Sequence, residues 1–126
     1  MLNNEAAAAV QLTAAAPQVA TTTVTGPWIQ IRGYEGTLLF QQIVGAVSGT
    51  TPNLAGKIQD ADDNVGTNSA DVSGATFTAV TAADQIGKVI VAKRAVRGWV
   101  RYVGTISGTT PSFALAAVLN ARPRLV

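Results

Sequence analysis

The feature that most constrains this chain is its density of β-branched residues, 15 Val, 7 Ile and 15 Thr among 126 residues, set in short runs broken by Gly, Pro, Asn or Asp. Such side chains lose rotamer freedom in a helix and pack well on a pleated surface. The pattern predicts an all-β fold with strands near 28–33, 37–47, 53–59, 75–80, 86–93, 98–107 and 112–121. Alternation is clear in Trp28-Ile29-Gln30-Ile31-Arg32, where the isoleucines share one face. In Gly98-Trp99-Val100-Arg101-Tyr102-Val103, Val100 and Tyr102 share a face. Trp99, Arg101 and Val103 share the other, so the spacing allows the Trp99 indole to stack on the Arg101 guanidinium. Strands of this number and spacing predict a single antiparallel β-sandwich, either jelly-roll-like or immunoglobulin-like.

The length fits one domain. Of its apolar residues 22 are Ala, so the core must come from the larger aliphatic and aromatic side chains. Residues 1–26 stand apart: Ala- and Thr-rich, with one charge at Glu5 and no aromatic residue. They read as an N-terminal arm ahead of a sandwich domain at 27–126. Asn3 or Asn4 could cap a short helix ending at Pro17. The Val- and Thr-rich stretch 18–25 favours an extended arm that orders against a neighbour's sheet edge, with Leu12, Val19, Thr21 and Thr23 as its contact residues. Removing 1–26 is then expected to leave a folded domain.

One segment resembles another within the chain. Residues 44–55, VGAVSGTTPNLA, match residues 103–114, VGTISGTTPSFA, at eight of twelve positions. Each reads as a strand, a turn and a returning strand, which would place two related hairpins in the two sheets.

The side-chain inventory narrows the chemistry. With no Cys and no His, there is no disulfide, no thiolate, no common zinc ligand and no imidazole base. The dense acid cluster Asp60-Ala61-Asp62-Asp63-Asn64 lies in loop composition and reads as a solvated turn. Asp60, Asp62, Asn64 and Asp71 fall at positions 1, 3, 5 and 12 of a calcium loop, but Val65 stands where that loop needs Gly and Asp71 where it needs Glu. The expectation is therefore no catalytic residue, no cofactor and no metal, in a chain that is not an enzyme. No apolar run approaches 18 residues and no leader-like segment opens the chain, so no membrane role is expected.

Charge is divided along the chain. Residues 1–87 hold all seven acids against Arg32 and Lys57, whereas residues 88–126 hold seven bases and no acid. Lys88, Lys93, Arg94, Arg97 and Arg101, interleaved with Trp99 and Tyr102, could serve nucleic acid by phosphate contact and stacking. No nucleic-acid signature accompanies them, and that partner is not expected.

From Ile31 onward the chain resembles the head decoration, or capsid cement, proteins of tailed bacteriophages. The likeness rests on Ile31-Arg32-Gly33-Tyr34-Glu35-Gly36, on Lys57–Asn64 leading to Phe77–Asp84, on Trp99–Gly108, and on Val118–Arg124. It implies a β-sandwich that sits on the outside of an assembled capsid and stabilises it by bridging capsomers. The partners implied are the major capsid protein and other copies of the chain, as a trimer at local threefold positions. The place implied is the virion surface after synthesis in the host cytoplasm. Arg94, Arg97, Arg122 and Arg124 become candidate contacts to an acidic capsid surface. A tail or baseplate component and a carbohydrate-binding sandwich remain as alternatives, the latter depending on Trp28 and Trp99.

Overall fold

Two strands of unusual length organise the chain in the computed structural model, which describes residues 9–124. The strands are β1 (Val10–Ala20), β2 (Val24–Thr25), β3 (Ile29–Gln30), β4 (Tyr34–Ala61), β5 (Ala70–Thr76), β6 (Gln85–Ala92) and β7 (Trp99–Pro123), with a 3-10 turn at Lys93–Ala95. β4 and β7 pair antiparallel from Tyr34 opposite Pro123 to Ala61 opposite Trp99. At about 3.3 Å per residue, a straight strand of β4's length would reach roughly 90 Å, far more than a domain of this size spans. The ribbon must therefore fold on itself.

It folds where the internal repeat lies. Register shifts flank Thr50, and Gly49, Thr51, Gly108 and Thr110 all have positive φ. Past this point the two halves of β4 face each other: a Cβ on Gly56 would collide with the Gln42 side chain of the same strand. Tyr102, which pairs with Ile58 in one half of the ribbon, donates its O–H to Gln42 Oε1 in the other at 2.5 Å. The repeats are thus not two hairpins. Each Gly-Thr-Thr-Pro lies opposite the other, so the chain bends from one layer into the next without reversing.

Two four-stranded layers result when β2 and β3, which follow one another along the same side of β7, are counted as one strand. The first runs β6, β4 (34–48), β7 (112–123), β1; the second runs β5, β4 (53–61), β7 (99–107), then β2 and β3. This is jelly-roll order, so of the two expected sandwich types the immunoglobulin-like one drops out. The even-numbered residues Leu38, Phe40, Gln42 and Val44 of β4 point inward, and so do Leu54 and Ile58 beyond the bend. They meet Phe113, Leu119, Tyr102 and Phe77, the last two edge to face at 5.9 Å.

The N-terminal stretch is extended, but it pairs with its own chain. β1 lies antiparallel to β7 from Val10 opposite Ala121 to Ala20 opposite Phe113, and Ala14 and Ala15 are core residues. A sheet edge that an arm could have sought on a neighbour is supplied by β7. Helix is ruled out at residues 10–16 by this pairing; the rest of that expectation, residues 5–8, falls outside the described residues. The strand expected at 75–80 begins instead at Ala70. The chain then follows β4 irregularly as Phe77 donates its N–H to Gly56 and Val80 bridges to Leu54.

Candidate protein-binding surface

Alternation decides what each layer shows to solvent. On the first layer the outward set contains Leu39, Gln41 and Ile43 of β4, Ile86, Lys88 and Ile90 of β6, and Ala114, Ala116 and Val118 of β7. The register makes these neighbours: Ile86 lies opposite Ile43, Ile90 opposite Leu39, Ala116 opposite Ile43 and Val19 opposite Ala114. Ile86, Ile90 and Val19 are 69%, 67% and 72% exposed, and Ile43 39%. A depression of about 350 Å³ runs along the patch between Pro17, Val19, Ile43, Ala114 and Ala116. Contiguous exposed apolar area of this kind marks an interaction surface. β6 pairs only with β4 among the described strands, leaving one side of its backbone open as a sheet edge.

The second layer presents the opposite chemistry. Across its strands Arg101 Nε donates to Gln59 Oε1 at 2.9 Å, Gln59 Nε2 donates to Asp71 Oδ1 at 2.9 Å, and Lys57 Nζ reaches Asp71 Oδ2 at 3.1 Å. The hydrogen bond from Gln59, then that from Lys57, holds the Asp71 carboxyl below its ordinary value. Arg101 lies 4.3 Å over the Trp28 ring. Its aromatic partner is therefore Trp28, not Trp99: residues two apart on one strand point the same way but stand too far apart to stack, whereas Trp28 arrives alongside from the segment preceding β3.

The acid cluster is consumed by its own loop. The Asp63 carboxylate accepts N–H bonds from Val65 and Thr67, both at 3.0 Å, and the Thr67 hydroxyl at 2.5 Å, which depresses its pKa. Asp62 accepts from Asn68 and lies 3.7 Å from Arg97 Nε, and Asp60 accepts the Arg97 backbone N–H. Among the described residues no three of His, Cys, Asp and Glu gather as a metal set.

The candidate contact residues divide among these surfaces. Arg94 and Arg124 come together with Lys93 in a cleft of about 500 Å³ that also includes Tyr34 and Thr37, and Arg122 lines an adjoining depression beside Leu39. Arg97 is elsewhere, bonded to the Asn68 carbonyl and the acid loop. Lys88 is on the outer face of the first layer, whereas Arg101 belongs to the second-layer network and Arg97 to the acid loop, so the basic segment is divided between the two layers. Val19 is on the apolar face; Leu12 packs against the core, opposite Leu119; Thr21 and Thr23 are exposed between β1 and β2. Reading the sequence missed Ile43, Ile86 and Ile90. The signal was present in Ile86-Gly-Lys-Val-Ile-Val, whose apolar residues occupy both faces of one strand, as in strands covered on both sides.

No family model matches the chain, and no curated protein matches it. Among solved structures it is similar to a chain in the structure of the Gx strain of infectious bursal disease virus, with a TM-score of 0.60 and 14% identity over 91% of this chain and 32% of that one. It is also similar to the infectious bursal disease virus VP2 subviral particle, with a TM-score of 0.53 and 12% identity over 92% of this chain and 32% of that one. The SPBc2 prophage-derived protein YomS matches with a TM-score of 0.44 and 11% identity over 90% and 92% of the two chains. The chain spans about a third of the length of the two virus chains, and what it shares with them is the fold.

Proposed function

We propose that this chain is a structural protein of a virus particle that binds the outside of an assembled phage capsid and stabilises it by bridging capsomers. The observation that carries the reading is the contrast between the two layers. One outer face is closed by a cross-strand polar network, whereas the other exposes Val19, Ile43, Ile86 and Ile90 as one patch. A sandwich with one apolar outer face is suited to lie flat on a protein surface. Two further points support it: a jelly-roll is the fold this chain shares with chains of a virus particle, and without Cys or His the usual nucleophile and base pairs are unavailable, so the role is one of binding rather than catalysis.

The partners in this reading are the major capsid protein and further copies of the chain, as a trimer around local threefold positions. A shell repeats the same site many times, so a modest interface per copy is reinforced by neighbours. The test is co-sedimentation of the purified chain with empty shells assembled without it, followed by heating of the loaded shells. Binding at saturating stoichiometry and a raised disassembly temperature are expected. Failure to sediment with shells, or shells no more heat-resistant when loaded, would overturn it.

A further inference from the structure

The fold brings the ends of three strands to one place. β4 begins at Tyr34, β6 ends at Ala92 and passes into Lys93 and Arg94, and β7 ends at Pro123 before Arg124. Arg124 is tied there by its backbone N–H to the Gly33 carbonyl at 2.8 Å. The cleft between them has a volume of about 500 Å³ and includes Lys93, Arg94 and Arg124, with Arg122 in the depression beside it. Among the described residues none of these four cations has an ion pair. Glu35, at the same place, has its own interaction and does not account for four positive charges. The described acids from Asp60 to Asp71 are engaged elsewhere: Asp60 and Asp62 by Arg97, Asp63 by Thr67, and Asp71 by Gln59 and Lys57.

From this excess we infer that the cleft receives an acidic segment of a partner polypeptide, carboxylates against Lys93, Arg94 and Arg124 and apolar side chains running on over Leu39 and Ile90. The inference rests on reading the chain as a shell-binding protein and names the chemistry of the bound surface. Charge complementarity selects carboxylates, and four grouped cations in excess over the one carboxylate of Glu35 steer an acidic partner to the site. Continuity selects polypeptide: the depression holding Arg122 also contains Leu39 and Ala121, and Leu39 lies opposite Ile90 at the edge of the apolar face. A nucleic acid would gain nothing from that apolar side, because its backbone offers phosphates and sugars and no aliphatic groups to cover Leu39 and Ile90.

The test has two arms. In the first, the full chain and the variants Arg94→Glu and Lys93→Glu/Arg94→Glu/Arg124→Glu are co-sedimented with empty shells, with thermal melts recording whether each variant folds. The triple variant is expected to bind roughly 30-fold more weakly and the single variant several-fold more weakly. Wild-type binding is expected to fall as salt rises from about 0.05 M to about 0.5 M, a measurement that needs no variant. In the second, fluorescence anisotropy compares a labelled peptide of alternating Glu and Leu with an oligothymidylate of equal charge. Peptide binding that the Arg94→Glu change weakens supports the cleft even if wild type fails on shells, which would count against the shell reading alone. Wild-type sedimentation unaffected by the variants and by salt, or tighter binding of the oligothymidylate than of the peptide, overturns the acidic-segment inference and leaves the shell reading standing.

Discussion

Gly49 and Gly108 hold equivalent positions on the two strands of the β4–β7 ribbon, each pressed against the Thr-Thr-Pro run of the opposite strand. A Cβ on Gly49 would stand 2.8 Å from the Pro111 Cα, and one on Gly108 2.6 Å from the Thr51 carbonyl oxygen and 3.1 Å from the Pro52 Cα. Their φ values of +105° and +122° lie where side chains are strained in any case. The internal repeat is thus a local pseudo-twofold of one folded ribbon, and the two glycines let its strands pass closely enough to bend together.

Gly49→Ala and Gly108→Ala are each expected to cost about 2–3 kcal/mol in urea denaturation, because strain and backbone collision add at the same atom. The double variant should cost less than the sum, since one relaxed crossing accommodates both methyl groups. Losses below 0.5 kcal/mol for either single variant would mean that the crossing tolerates a side chain.

The buried Tyr102 and Gln42 pair gives a second prediction. The Tyr102 hydroxyl donates to Gln42 Oε1 between the layers, while Gln42 Nε2, fully buried, has no hydrogen-bond partner among the described residues. Tyr102→Phe leaves the whole amide unsatisfied and should cost about 1–3 kcal/mol. Adding Gln42→Met removes the stranded amide at similar volume and should recover part of that loss. A double variant as unstable as the sum of the two single ones would show that the amide contributes nothing beyond its shape.

Much of this was legible in the residues. Strand positions for β4, β6 and β7 follow from period-two alternation and survive in the fold, because each is a half-buried strand whose register is fixed by its apolar face. What alternation cannot carry is whether a Gly-Thr-Thr-Pro run reverses the chain or bends it, since both need positive φ and the outcome depends on a strand some 60 residues away. The apolar patch was hidden for a related reason: Ile43 and Ile86 are unremarkable singly and become a surface only when the register sets them side by side. Residues 10–20 read as an arm because Ala gives weak amphipathic signal, yet β1 joins the sheet through its backbone ladder to β7 and buries only the small side chains of Ala14 and Ala15. Trp28 could not be paired with Arg101 from the sequence, being 73 positions away.

Truncation before residue 27 is expected to be damaging. It would remove β1 and β2, take Ala14, Ala15 and Val24 from the core, and uncover the edge of β7. The loss is expected to be about 5 kcal/mol or more, comparable with the whole stability of a small domain. Circular dichroism melts should show a weakened or absent cooperative transition; a truncated chain melting as the full one does would restore the separable arm.

Stability should fall at both ends of the pH scale for identifiable reasons. Asp63 and Asp71 have folded pKa values below the ordinary aspartate value of 3.8, so their contribution is present above that pH and is lost as pH drops through the folded values. Asp71→Asn should flatten the acid limb of a stability–pH profile. Burial raises the Tyr102 phenol above its ordinary 10.0, so the neutral form is favoured on folding and stability should decline as pH climbs past 10. Tyr102→Phe should remove that alkaline decline while lowering stability at neutral pH; an alkaline limb unchanged in the variant would assign it to other groups.

The apolar face separates binding from folding. Ile86 and Ile90 are more than two-thirds exposed and contribute little to the core, whereas Val89 and Val91 on the same strand point inward. Ile86→Ser and Ile90→Ser are therefore expected to change stability by no more than about 0.5 kcal/mol. Together they should weaken co-sedimentation with shells by about tenfold or more, since each removes a side chain that a partner would cover completely. Val89→Ser should do the reverse, unfolding the sandwich before any effect on binding can be read. If the double serine variant binds shells as wild type does, the first layer does not face the capsid. The chain would then have to attach through one of the loop ends, where the cleft variants would show it.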